Sequence, residues 1–294
     1  MTSTLKLNTK VTEEELENLE ISTDGFGAWS HSKLKLLDKC PLSFYLKYVL
    51  KVKVPAPPIS LVTEVGKAAH YILEQMILGK SITASMAETK KKYSSVITEE
   101  DWKAQVETLE YSFAKFAERL ENFQKANKVK RFLQELRIGC TKDWSPTGFF
   151  ADDVYFRGVI DLVIQLENND ILSIDHKTGA PALMGVRNFK DQLDTYKVLF
   201  HYGVEKVKGG QSGIHYIRDA EIKMDDYASA EEIEKKLVPR LEFHIEGSVE
   251  RLKELGFFKH VAGNQCKYCD FAVDCKSGAL KDLEKKTVRF FKKQ

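Results

Sequence analysis

The sequence predicts an α/β fold in which helices flank a mixed central sheet, with a helical region before the sheet and a cysteine-rich segment after it. Three observations carry that expectation. Segments dense in β-branched and aromatic residues recur at 131–139, 154–166, 171–176 and 213–217, the composition of half-buried or buried strands. Stretches with helical hydrophobic spacing lie between and around them, at 61–78, 99–126, 186–202 and 230–254. With 294 residues and 43% hydrophobic content, the chain has enough material for a substantial core in one elaborated domain.

Taken in order, the first residues hold the acidic run Glu13-Glu14-Glu15 and few large apolar side chains, so 1–29 reads as an extended arm. Residues 32–49 suggest two short helices broken at Cys40-Pro41, because proline lacks the amide hydrogen a helix interior needs and is favoured at a helix start. Residues 54–58 form a proline-rich connector. In the helix over 61–78, Gly66, His70 and Glu74 follow at four-residue steps along one face. A long helix over 99–126 precedes the strand that carries Glu135. The strand over 154–166 then reaches Asn168-Asn169-Asp170 and resumes as 171–177, which reads as a β-hairpin. After a loop at Thr178-Gly179-Ala180-Pro181, the helix over 186–202 places Gln192 and Tyr196 on one face. No internal repeat or low-complexity segment is visible.

The hairpin holds the chemistry. Side chains alternate along a strand, so Asp175 and Lys177 share a face that Ile174 and His176 do not, and the neighbouring strand brings Asp161 alongside. Two carboxylates and an ammonium in one place are costly without a further charge, and carboxylate oxygens suit Mg²⁺ or Mn²⁺. The plain alternative is a surface hairpin whose charges are solvated.

A second constellation is made of thiols. Cys266, Cys269 and Cys275 form a C-x2-C-x5-C cluster, and Cys40 lies far upstream. Four thiolates can enclose an iron-sulfur cluster or zinc, or form a metal-free nest of buried thiols. An odd total of five cysteines at metal-like spacing argues for a reducing compartment over a disulfide framework. Cys140, outside both groups, reads as a small buried hydrophobe.

The net charge of +2 gives no global attraction to DNA, so any nucleic-acid groove must come from segregated charge. Residues 125–131 and the tail 279–294, with its Lys285-Lys286 and Lys292-Lys293 pairs, are the candidates, each with a solvated surface as the alternative. No apolar run is long enough to cross a bilayer and no secretion profile is visible, so the expected location is the cytoplasm, with no membrane association. No GxxxxGK[ST] motif occurs, so a motor would have to be a separate chain.

The ordered set Gly158-Val159-Ile160-Asp161, Asp175-His176-Lys177, then Gln192 and Tyr196 resembles the RecB-like exonuclease branch of the PD-(D/E)xK nuclease superfamily. Where that branch often has Glu, this chain has Asp175, which still offers carboxylate oxygens. The resemblance implies a restriction-endonuclease-like mixed sheet over 30–278, between the arm 1–29 and the basic tail. It implies Asp161 and Asp175 as ligands of one or two Mg²⁺ or Mn²⁺ ions, with His70 as an imidazole ligand, the backbone carbonyl of His176 completing the shell and Glu135 as a secondary candidate. Lys177 would act as base or orient water, and Gln192 and Tyr196 would lie beside the metals and seat the DNA backbone. Cys40, Cys266, Cys269 and Cys275 are arranged as in the AddB and CRISPR-associated adaptation nucleases, which implies a 4Fe-4S cluster rather than zinc. The expected activity is a metal-dependent deoxyribonuclease, an exonuclease working at DNA ends or single strands in replication, repair or recombination, with a helicase, recombinase or single-strand-binding partner. The alternatives are a CRISPR adaptation nuclease trimming DNA before integration and a non-catalytic iron-sulfur DNA-binding subunit.

Overall fold

The computed structural model describes residues 26–52, 60–179, 187, 189–255, 258–272 and 275. Most of the arm, the proline-rich connector and the basic tail lie outside the described residues. The chain divides into two compact units, one within 57–153 and 157–239, the other within 1–56, 154–156 and 240–294. Seven helices recur below: α1 (His31–Lys39), α2 (Pro41–Phe44), α3 (Leu61–Ile77), α4 (Ile82–Tyr93), α5 (Glu110–Ala126), α6 (Lys190–Gly203) and α7 (Val238–Leu255).

The larger unit holds the mixed sheet the sequence predicts, with seven strands where four were expected. Its strands are β1 (Val129–Cys140), β2 (Pro146–Thr147), β3 (Phe156–Leu166), β4 (Asp170–Lys177), β5 (Gly209–Tyr216), β6 (Glu221–Met224) and β7 (Ala228–Ser229). Their order is β2-β1-β3-β4-β5-β6, with β7 paired to β5. The expected hairpin is β3–β4, antiparallel from Leu162↔Ile174 to Gln165↔Ile171, and Asn169 turns the chain at φ 69°, a left-handed conformation asparagine tolerates well. β4 and β5 run parallel from Asp170↔Gly209 to Lys177↔Tyr216. A parallel pair needs a crossover, and α6 supplies it.

Two glycines set how closely helices approach the hairpin. A Cβ at Gly158 would lie 2.5 Å from Leu199 Cδ1 of α6, so the first residue of Gly-Val-Ile-Asp is the place where that helix touches β3. A Cβ at Gly66 would lie 3.3 Å from Thr178 Oγ1, so the same absence of a side chain lets α3 pass close to the loop after Lys177. One core face of the sheet is sealed by Val65, Ala68, Ile72 and Leu73 of α3 packing with Phe113 and Phe116 of α5 and with Leu162, Ile164 and Ile174. Each Val, Leu, Ile or Phe of this group, once fully buried, contributes roughly 1.5–3 kcal/mol.

The long helix expected over 99–126 is interrupted. A three-residue α turn (Glu99–Asp101) passes into a π turn (Trp102–Val106) and a 3-10 turn (Glu107–Leu109) before α5 begins. Trp102, Val106, Leu109 and Phe113 are all buried, and the changed winding keeps all four on the core side. The helix expected from 186 begins at Lys190, and Val186 lies outside the described residues. Helix α4, between Gly79 and the 99–109 turns, answers to no sequence expectation; Ser81 caps it by accepting the amide of Ala84.

In the smaller unit the break at Cys40-Pro41 is as predicted. Ser30 caps α1 by accepting the amide of Lys33, α1 ends at Cys40, and Pro41 opens α2. Phe26, Trp29, Phe44, Tyr45 and Phe258 form its buried aromatic core, with the Tyr45 and Phe258 rings stacked at 4.4 Å.

Candidate metal centre

The β3–β4 ladder, regular up to Leu162↔Ile174, gives way at the next residue pair to a side-chain contact. Asp161 Oδ2 accepts the amide hydrogen of His176 at 2.8 Å, taking a donor that must be satisfied in a buried sheet. This holds the Asp161 carboxylate between the strands. His70 reaches it from α3, with Nδ1 3.6 Å from Asp161 Oδ2. Glu135 reaches it from β1. Ligand atoms of His70, Glu135 and Asp161 lie within 4.8 Å of one another, the only such group of three among the described residues. Glu135 has φ 45°, so β1 leaves the extended conformation at that residue, and a break of this kind re-aims a side chain beside a site.

Asp175 is 3% exposed and tightly held. Its Oδ1 accepts Tyr196 Oη–H at 2.7 Å and Gln192 Nε2–H at 2.9 Å, and Gln192 also donates to Tyr196 Oη at 2.7 Å. The two residues that share a face of α6 therefore act on Asp175 as positioning residues. Lys177 Nζ pairs with Asp175 Oδ2 at 2.6 Å, so each oxygen of this buried carboxylate has a partner. Lys177 is about one-third exposed and its ammonium lies 5.7 Å from the centre of the Phe189 ring.

The charges are strained. Burial, then the nearby Asp175, pushes the Asp161 carboxyl up to about 7. Burial and Asp161 raise Glu135 as well. Burial lowers His70, opposed by Asp175, Glu135 and the backbone of His176. Tyr196 is held well above its usual range by burial and by the carboxylates of Asp175 and Asp161. A neutral imidazole beside carboxylates that resist ionising together is a donor set a hard divalent cation satisfies.

The ring of His176 lies on the face of β4 opposite Asp175, where it meets the His70 ring edge-on at 5.7 Å. Its Nδ1 lies 2.9 Å from Nδ1 of His215, its register partner on β5, and Phe116 stacks on His215 at 4.8 Å. The backbone amide of His176 thus bears on Asp161 and its ring on His70. His215 was missed by sequence reasoning, for which an isolated histidine in an apolar strand carries no signal; burial lowers it to about 3, which keeps the ring neutral. In the 125–131 segment Lys125 pairs with Glu121 at 2.6 Å, while Arg131 keeps its charge and donates to the neutral Gln165 at 2.7 Å.

In the smaller unit, Cys40, Cys266, Cys269 and Cys275 line one cavity of about 520 Å³. No cysteine is in a disulfide. Ser43 Oγ lies 3.6 Å from Cys269 Sγ. Cys140 is buried and its thiol is pushed up to about 11 by desolvation alone, as befits an inert core residue.

The chain belongs to the PD-(D/E)XK nuclease superfamily, whose family model matches residues 28–276. Membership implies metal-dependent nuclease chemistry. No curated protein matches the chain. Similar solved structures include a "putative exonuclease" from Eubacterium rectale, at 13% identity and TM-score 0.44, covering 84% of this chain and 88% of that one. Another is SSO0001, at 15% identity and TM-score 0.32, covering 90% of each chain. No described helix is long and apolar enough to cross a membrane.

Asp161 carries a linkage consequence. An acid raised from 3.8 to about 7 binds its proton more tightly in the folded state, so the metal-free protein loses stability as pH rises from about 4 to about 7. A ¹³C titration of the metal-free protein is expected to give one aspartate carboxyl a midpoint near 7, and Asp175→Asn should lower that midpoint while leaving it above the usual range, since burial is the larger cause. An Asp161 midpoint near 4 in the parent protein would contradict this electrostatic picture.

Proposed function

We propose that the chain is a Mg²⁺- or Mn²⁺-dependent deoxyribonuclease of the RecB-like branch, an exonuclease acting at DNA ends or single strands in replication, repair or recombination. The observation that carries this reading is the convergence of His70, Glu135 and Asp161 beside a buried Asp175 that is paired with Lys177. Those four side chains, with the backbone of His176, would hold the cation. When bound, the cation supplies Lewis-acid stabilisation of the charge that develops on a phosphodiester.

The chain's own groups do the rest. Asp161, once deprotonated, is fixed by the amide of His176, so its free lone pairs face the cluster. Gln192 and Tyr196 prevent Asp175 from rotating by holding Oδ1, which leaves Oδ2 oriented. Lys177 is the one cation in direct contact with these carboxylates among the described residues, on the same strand face as Asp175. It would orient the attacking water or take its proton, and would neutralise charge on the phosphate. The expected result of Lys177→Ala is a fall of at least about 100-fold in the rate at which labelled DNA is cleaved with Mg²⁺; an unchanged rate would sink the assignment.

The four thiols support a 4Fe-4S cluster. They line one cavity, one upstream thiol beside a C-x2-C-x5-C segment, which is the arrangement that implies this cluster rather than zinc. Such a cluster would tie Cys40 to the Cys266–Cys275 segment across most of the chain and remove many unfolded conformations. Protein prepared without oxygen is expected to be brown, with charge-transfer absorbance that Cys269→Ser abolishes. A colourless protein carrying one equivalent of zinc would reject the cluster.

A further inference from the structure

In the turn between β2 and β3, Phe150 is 73% exposed, and its ring meets that of Phe149 edge-on at 4.9 Å. Two guanidinium groups frame the pair. Arg157 lies 5.0 Å from the Phe149 ring centre and 5.6 Å from that of Phe150, and it donates to the Phe149 carbonyl at 3.0 Å. Arg137 lies 5.9 Å from the Phe149 ring. The turn is therefore braced, and an exposed aromatic face is presented on a cationic support. The two acids of the turn, Asp152 and Asp153, are both exposed, and Asp153 accepts a hydrogen bond from the Thr147 hydroxyl at 2.7 Å.

The position of this patch gives it a partner. Arg137 is two residues beyond Glu135 on β1, and its charge lowers the proton affinity of that carboxyl. Arg137 thus links the two places: it lies against the Phe149 ring and acts electrostatically on Glu135 of the candidate metal centre. An aromatic ring beside paired arginines matches an unpaired base and its phosphate, since every base offers a π-face and arginine adds both ion pairing and cation–π attraction. In a duplex those faces are covered by neighbouring pairs.

We propose that Phe149, Phe150, Arg137 and Arg157 form a docking platform for single-stranded DNA, with bases stacked on the rings and phosphates held by the guanidinium groups next to the bond to be cut. This rests on the nuclease reading and adds the form of the substrate to it.

The test is fluorescence anisotropy with the full chain in EDTA, using a labelled oligothymidylate, a hairpin duplex of equal length and an oligothymidylate carrying abasic sites. Phe150→Ala is expected to weaken oligothymidylate binding by about 10-fold, the loss of roughly one stacked base, while duplex affinity stays the same and Phe150→Trp binds like the parent. The abasic strand should bind parent and Phe150→Ala alike. Equal losses on single strand and duplex, or no loss on either, would overturn the platform. Because binding is read without divalent metal, the two readings separate: a chain that shows the Phe150 effect but cleaves no DNA with Mg²⁺ or Mn²⁺ supports the platform and rejects the nuclease. A chain that cleaves DNA but lacks the Phe150 effect rejects the platform alone.

Discussion

Two aspartates on adjacent strands, Asp161 and Asp175, are brought together in a buried setting where ionising both is unfavourable. Everything around the hairpin either tolerates that repulsion or directs it. The amide of His176 stabilises ionised Asp161, and the Tyr196 and Gln192 side chains bind one oxygen of Asp175. Lys177 balances part of the charge from the same strand. What remains is a surplus of lone pairs facing His70 and Glu135, which is the electrostatic requirement a divalent cation meets.

The scaffold serves this arrangement through close approach rather than through unusual elements. Gly158 admits Leu199, so α6 can lie on β3 and deliver two residues of one helical turn to Asp175. Gly66 admits the loop at Thr178, so α3 can deliver His70. On the opposite face of β4, His176 and His215 pair with each other and pack against Phe116, which fills the sheet behind the cluster with neutral rings. Burial that keeps those rings neutral is the same physical effect that raises Asp161, applied to groups of opposite charge type.

Much of this was legible because it rests on short-range periodicity. Alternation along 171–177 separates Asp175 and Lys177 from His176, and a four-residue step aligns Gln192 with Tyr196; both relations hold in the structure. The hairpin turn at Asn168-Asn169-Asp170 was legible from turn chemistry. Long-range and conformational facts were not. Glu135 ranks second by pattern, yet its left-handed φ turns its carboxylate into the group with His70 and Asp161, and no residue type announces a positive φ at a glutamate. The winding change at 102–109 keeps the same buried residues as a regular helix would, so the hydrophobic pattern cannot reveal it. Pairing of His215 with His176 depends on the β4–β5 register, which is set by a crossover fourteen residues of helix long.

The central claim is that the buried carboxylates exist to bind a cation. Calorimetric titration of Mn²⁺ into the metal-free protein, compared with Asp161→Asn, tests it most directly. The account predicts saturable binding accompanied by proton release below pH 7, with Asp161→Asn abolishing both. Undiminished Mn²⁺ affinity in Asp161→Asn would contradict it.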